Sequence, residues 1–158
     1  MAALSFVIYD TLTERIVEAG DKAPDFKVVT EKGRTVTRSN FGGKLLVLNF
    51  WATWCPPCVQ EMPSLIQFSK EMADKGVVVL GVSVDKNDKQ YQTFLKRYKV
   101  PFDTSRDPDA NISASYGTYK YPETYIIDAS GKVVEKIVNA PDQGWMDPAM
   151  LNRIKRYL

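Results

Sequence analysis

The sequence predicts an α/β domain with a mixed central sheet, on three observations. Two short, nearly unbroken apolar runs, residues 45–50 and 77–84, have the pattern of strands covered on both faces. The stretches that follow them repeat apolar residues at helical spacing. Two further strand-like runs, residues 123–127 and 132–138, are joined by a turn at Asp128-Ala-Ser-Gly131 and have the order of a hairpin. A β-α-β-α series followed by a hairpin gives a sheet with both parallel and antiparallel pairs.

In chain order, residues 4–9 read as a short strand and 13–18 as a helical turn. Past Gly20 and Pro24, residues 26–30 and 35–37 flank Glu31-Lys-Gly33 as an N-terminal hairpin. Residues 45–50 are taken as the central strand. From Pro56 on, Cys58, Met62, Leu65, Ile66, Met72 and Ala73 share one helix face. Pro56 and Pro57 suit a first turn, whose N–H groups have no internal partner; Pro63 should kink the helix and Gly76 end it. After the strand 77–84, Asn87 or Asp88 caps a helix with Tyr91, Phe94, Leu95 and Tyr98 on one face, the tyrosines being core, and Pro101 breaks it. Residues 102–105 read as a short strand, 109–116 as a short helix ending at Gly117, and 147–158 as the final helix. With no repeat, low-complexity tract or linker, residues 1–158 are expected to form a single domain.

At 158 residues, 44% apolar and 25% charged, the chain has the make-up of a soluble globular domain with a real core. Its net charge of +2 is far too small for a nucleic-acid footprint. Arg153, Lys155 and Arg156 are expected on the solvated face of the last helix. No apolar run approaches the ~20 residues of a membrane span, and residues 1–20 lack a signal-peptide pattern, so membrane contact is expected only through an anchor outside these residues. A chain without histidine cannot build a Ser-His or Cys-His catalytic pair, an imidazole metal site or a c-type haem attachment run.

The chemistry concentrates in Trp54-Cys55-Pro56-Pro57-Cys58. Two cysteines three residues apart in the first turn of a helix can reach one another. The unpaired N–H groups and the positive end of the helix dipole favour a thiolate there. Cys55 is therefore the expected nucleophile. Cys58, one turn deeper, is placed to attack a mixed disulfide held on Cys55, and is the expected resolving thiol. Two other readings compete. A structural disulfide this short closes too small a loop to stabilise the fold much, and half of a zinc site would need a second chain.

Asn49-Phe-Trp-Ala-Thr-Trp-Cys-Pro-Pro-Cys58 resembles the active-site strand and helix start of thioredoxins, and more closely of the TlpA/ResA group, which includes cytochrome c maturation thioredoxins. Gly20-Asp-Lys-Ala-Pro-Asp-Phe26, Phe41-Gly-Gly-Lys44 and Tyr121-Pro-Glu-Thr-Tyr-Ile-Ile-Asp128 extend the resemblance over about residues 20–138. It implies a thioredoxin fold with an N-terminal β-hairpin extension and a central insertion, here roughly residues 86–117. Where thioredoxins hold a buried aspartate this chain has Asn49, which cannot act as a base. The resemblance implies that Glu61, three residues after Cys58, manages that thiol's proton; the competing reading is a surface glutamate favoured by the helix dipole. It also implies a cis bond before Pro122, setting the backbone of Tyr121 beside the sulfurs, against a plain proline at a strand start. Trp54, Pro56, Tyr121 and Pro122 are expected to meet the substrate. Trp54 is expected to be partly exposed and Trp51 packed near the sheet end, with Asp85 in a helix-capping or turn role.

The function these residues imply is thiol-disulfide exchange, as a reductant of disulfide-containing protein partners outside the cytoplasm, with cytochrome c maturation as one pathway. A cytoplasmic location stays open. No cofactor is expected beyond the redox-active Cys55–Cys58 pair. The chain is expected to be a monomer recharged by an upstream thiol reductant. A thiol peroxidase of peroxiredoxin type is the rival enzyme, since Ala-Pro-Asp-Phe26 is shared with that family. However, its threonine three residues before the reactive cysteine is Ala52 here, and Thr53 falls one residue late. A copper or zinc carrier using both thiolates is the non-enzymatic rival.

Overall fold

A computed structural model describes residues 16–158. The expected strand at 4–9 lies outside the described residues, as does the start of the turn at 13–18. Ile16, Val17 and Glu18 belong to no helix or strand. Among the described residues, seven strands and four α-helices follow one another. They are β1 (Lys27–Val29), β2 (Thr35–Thr37), β3 (Leu45–Trp51), α1 (Pro56–Met72), β4 (Val77–Ser83), α2 (Asp88–Tyr98), β5 (Asp103–Arg106), α3 (Asn111–Ser115), β6 (Glu123–Asp128), β7 (Val133–Val138) and α4 (Pro148–Lys155). β1 and β2 pair antiparallel as a separate hairpin, and the other five strands form one sheet in the order β5-β4-β3-β6-β7. β3 is parallel to β4 and antiparallel to β6, which makes the sheet mixed and β3 its centre.

Alternation along β3 splits the core in two. Leu45, Val47 and Trp51 face α1, through Met62, Leu65, Phe68 and Met72, together with Trp145 and α4. Leu46, Leu48 and Phe50 face the opposite side, where Val28 and Val36 of the hairpin, Phe41 and Tyr116 cover them. All seven β3 residues are buried, which is why the run reads as continuously apolar apart from Asn49. The hairpin is tied to the sheet edge as well, since Glu31 N–H donates to the Thr104 carbonyl at 2.9 Å and Ser105 Oγ to the Val29 carbonyl at 3.2 Å. The stretch 86–117 contributes α2, β5 and α3, so β5 becomes the edge strand on β4.

Helix ends differ from the sequence reading, for local reasons. α1 stops at Met72 and a 3-10 turn, Ala73–Lys75, intervenes before Gly76, whose φ of 85° lets its N–H return to the Ala73 carbonyl. Pro63 lies inside α1 without ending it. α2 ends at Tyr98, ahead of Pro101: Lys99 turns into the left-handed region and its N–H returns to the Leu95 and Lys96 carbonyls. α3 and α4 are shorter than expected, and Asp147 caps α4 by accepting from Ala149 N–H and Met150 N–H. Arg153 is not simply solvated: it pairs with Glu135 on β7.

One close approach is diagnostic of how tightly the helix-side layer is packed. A Cβ added at Gly81 on β4 would stand 2.9 Å from Trp51 Nε1 and 3.3 Å from Phe102 Cε2. Gly81→Ala is expected to destabilise the protein by about 1–3 kcal/mol through overpacking, seen as a lower urea midpoint with unchanged slope. An unchanged midpoint would mean that Trp51 moves aside without cost.

Candidate active site

The chain leaves β3 at Trp51 and reaches α1 through Ala52, Thr53, Trp54 and Cys55. This corner is clasped from β4. The Asp85 carboxylate accepts from Thr53 N–H at 2.9 Å, from Thr53 Oγ1 at 2.6 Å and from Ser83 Oγ at 2.5 Å. Asp85 is 1% exposed and caps no helix, which corrects the capping expectation; Asn87 does that, accepting from Gln90 N–H. The Thr53 hydroxyl is spent on Asp85.

Cys55 is the N-cap of α1, and its sulfur accepts from Cys58 N–H at 3.3 Å. The two cysteines are joined as a disulfide across a Cα–Cα distance of 5.2 Å. Cys55 retains 5% exposure and Cys58 none. Pro56 and Pro57 occupy the first turn, where no N–H is needed, and stand exposed beside the bond.

From the other edge, the antiparallel register sets Phe50 opposite Glu123, so the residues just before β6 come alongside the end of β3. The Tyr121–Pro122 peptide bond is cis, and the Tyr121 carbonyl oxygen lies 3.3 Å from Cys55 Sγ. Trp54, 60% exposed, meets the Tyr121 ring edge-on with centroids 6.2 Å apart, while Pro122 itself is buried. Asn139 N–H donates to the Pro122 carbonyl at 3.0 Å, which links this loop to the one after β7.

Behind the sulfurs, Glu61 is buried, at 4% exposure, which overturns the surface-glutamate reading. Its carboxylate accepts from Asn49 Nδ2 at 3.0 Å and from Trp145 Nε1 at 2.9 Å. Asn49 Nδ2 also donates to Thr124 Oγ1 at 2.8 Å. Burial penalises the charged carboxylate more than the two N–H donors relieve it, so the pKa rises from 4.5 to about 7. Ser64 braces the arrangement, accepting from Trp145 N–H and donating to the Glu61 carbonyl. A cleft of about 360 Å³ lined by Pro57, Gln60, Ser64, Asp142 and Gly144 reaches Glu61 from the surface.

Cys55, Cys58, Glu61, Trp54, Pro56, Tyr121 and Pro122 are thus gathered at one end of the sheet. Sequence reading missed Trp145, which lies 84 residues from Glu61 in a loop whose path only the packing of α4 decides. It also missed the Asp85 clasp and the Tyr125 and Thr118 hydroxyls that hold the Glu123 carboxylate beneath the cis bond. Among the described residues, no group of three or more Cys, Asp or Glu is placed to hold a metal ion.

Comparison with known proteins points the same way. The family model described as AhpC/TSA family matches residues 19–136. A thiol-disulfide oxidoreductase ResA of Bacillus thuringiensis is 34% identical over 137 residues, covering 85% of this chain and 79% of that protein. The thioredoxin-like protein YneN of Bacillus subtilis is 39% identical over 130 residues, covering 80% and 76%. A crystal structure from Chlorobium tepidum, assigned as a thiol:disulfide interchange protein DsbE, superposes with a TM-score of 0.80 at 30% identity, covering 90% of this chain and 99% of that one.

The raised Glu61 pKa has a sign that stability measurements can read. Between pH 4.5 and about 7 the folded protein keeps a proton that the unfolded chain has lost, so this group's contribution to stability falls as pH rises, then levels off. Glu61→Gln, neutral at every pH, is expected to gain on the wild type across that window by on the order of 2 kcal/mol. Thermal midpoints of the oxidised proteins at pH 5 and pH 8 check this; a pH-independent difference would place the carboxylate in contact with water.

Proposed function

We propose, since the chain belongs to the AhpC/TSA family and is a ResA-like thiol-disulfide oxidoreductase, that it acts as a reductant of disulfides in partner proteins outside the cytoplasm. The observation that carries the reading is the asymmetry of the cysteine pair. Cys55 keeps 5% exposure beside the Tyr121 carbonyl, whereas Cys58 has none, with the buried Glu61 one helical turn further along α1.

In the reduced protein, Cys55 as thiolate attacks one sulfur of a substrate disulfide. A Cys55–substrate disulfide forms and the first substrate thiolate leaves. Cys58 then gives its proton to Glu61 and attacks Cys55 Sγ; the Cys55–Cys58 bond forms, and the second substrate thiolate leaves and takes up a proton. Two electrons have passed from the dithiol to the substrate. A carboxyl with a pKa of about 7 is half ionised at neutral pH, the balance at which it accepts and returns a proton most readily. The backbone edge at Tyr121 suits an extended substrate segment added like a strand, with Trp54 and Pro56 as apolar contacts.

The direction is taken from the TlpA/ResA resemblance, and the residues between the cysteines agree with it. Among the described residues the Cys55 sulfur receives a single hydrogen bond, from Cys58 N–H, and Pro56 and Pro57 offer no donor. An upstream thiol reductant restores the dithiol after each turnover. The location outside the cytoplasm, and cytochrome c maturation as a pathway, come from the TlpA/ResA resemblance.

Cys58→Ser is expected to accumulate mixed disulfides with its partners on Cys55, visible on non-reducing gels and identifiable by mass. Cys55→Ser should trap little, although it removes the same number of sulfurs. Equal trapping by both variants contradicts the assignment of attack and resolution. Glu61→Gln should leave the first step intact and slow the second by about 100-fold, with loss of its pH dependence near 7. An unchanged pH-rate profile removes Glu61 from the mechanism.

A further inference from the structure

The disulfide lies between two clefts with different linings. On the side of the loop 139–144, the cleft at Glu61 is lined by Glu61 and Asp142 and by no cation. On the other side, a cleft of about 450 Å³ runs between the start of α1 and α2. Thr53 and Val59 form its near wall, two residues before Cys55 and one after Cys58, so it opens at the shoulder of the reacting bond. Phe94 and Tyr98 form an apolar wall, their rings stacked with centroids 4.2 Å apart. Lys89 and Arg97 line the same cleft, and among the described residues no carboxylate does.

Among the described residues, neither Lys89 nor Arg97 forms an ion pair with a carboxylate, so both charges are open to a partner. The carboxylates at the head of α2 are engaged elsewhere. Asp85 is buried against Thr53 and Ser83, and Asp88 pairs with Arg106 at 3.4 Å. The Asp85 clasp also fixes Thr53, so the near wall is preformed.

We propose that this cleft receives an acidic segment of the substrate protein, close in sequence to the cysteine that reacts with Cys55. The proposal rests on the reading of the protein as a reductase of protein disulfides and adds the charge of its substrate. Apolar carbons beside the acidic group pack on Phe94 and Tyr98, while its carboxylates meet Lys89 and Arg97 on a wall that gives up no ion pair of its own to receive them. The cleft on the opposite side, which carries Asp142 and offers no cation among the described residues, suits the same segment less well, so the two together bias which way a substrate lies across the disulfide.

The probe is a pair of short peptides with one cysteine carried as a thionitrobenzoate mixed disulfide, flanked in one by glutamates and in the other by lysines. Release of the chromophore by the reduced protein gives the rate of attack by Cys55. The wild type is expected to react faster with the acidic peptide, by about tenfold at low ionic strength, with the preference shrinking in about 0.5 M salt. In the Lys89→Glu/Arg97→Glu double variant the preference should invert, while reduction of uncharged hydroxyethyl disulfide stays at the wild-type rate. Equal rates for the two peptides in the wild type, or a double variant that slows both peptides alike, overturns the proposal. A wild type that reduces neither the peptides nor hydroxyethyl disulfide overturns the reductase reading, and the proposal with it.

Discussion

β3 is paired along both edges and covered on both faces, and a strand with every residue buried leaves its neighbours little freedom. One face must be roofed by helices, which α1, α2 and α4 supply; the other is closed by the N-terminal hairpin and Tyr116. The two edges are of different kinds. β4, reached by a crossover helix, runs parallel, and β6, returning from the far side, runs antiparallel. The carboxyl end of β3 is therefore the one place where the start of α1 and the start of β6 come together. The disulfide and the cis-Pro122 bond meet there because of that pairing.

The same burial creates the electrostatic tension at the site. Glu61 sits on the inward face of α1, where a hydrocarbon side chain would pack without penalty, and its carboxylate is held by two N–H donors that offset the cost of desolvation only in part. Asn49 serves as one donor because it is neutral; a carboxylate at that position on β3 would face Glu61 and compete with it for the proton. Asn49 Oδ1 has no hydrogen-bond partner among the described residues. Ser64 and Gly144 complete the arrangement by holding the loop that delivers Trp145.

What could be read from residues alone was whatever has a short-range cause. The buried strands appeared as apolar runs and the helices as one-sided stripes. The cysteines, three apart behind a strand and within the first helical turn, declared both their proximity and their unequal exposure. Pro122 and Glu61 were found through resemblance, since a proline before a strand or a glutamate on a helix has an ordinary explanation that local sequence cannot dismiss. The end of α1 was misjudged because the deciding feature was a 3-10 turn, Ala73–Lys75.

The order of elements, the two-sided burial of β3 and the chemistry of Cys55 and Cys58 were determined by the sequence itself, because each depends on residues within a turn or a strand of one another. The tertiary structure alone decided that Trp145 reaches Glu61 across 84 residues and that Asp85 clasps Thr53 from the neighbouring strand. It also decided that Lys89 and Arg97 line a cleft beside the disulfide in which, among the described residues, no carboxylate stands. Those contacts join distant segments through the packing of whole layers, and their consequences for a proton or a partner's charge depend on burial and distance, which no local pattern encodes.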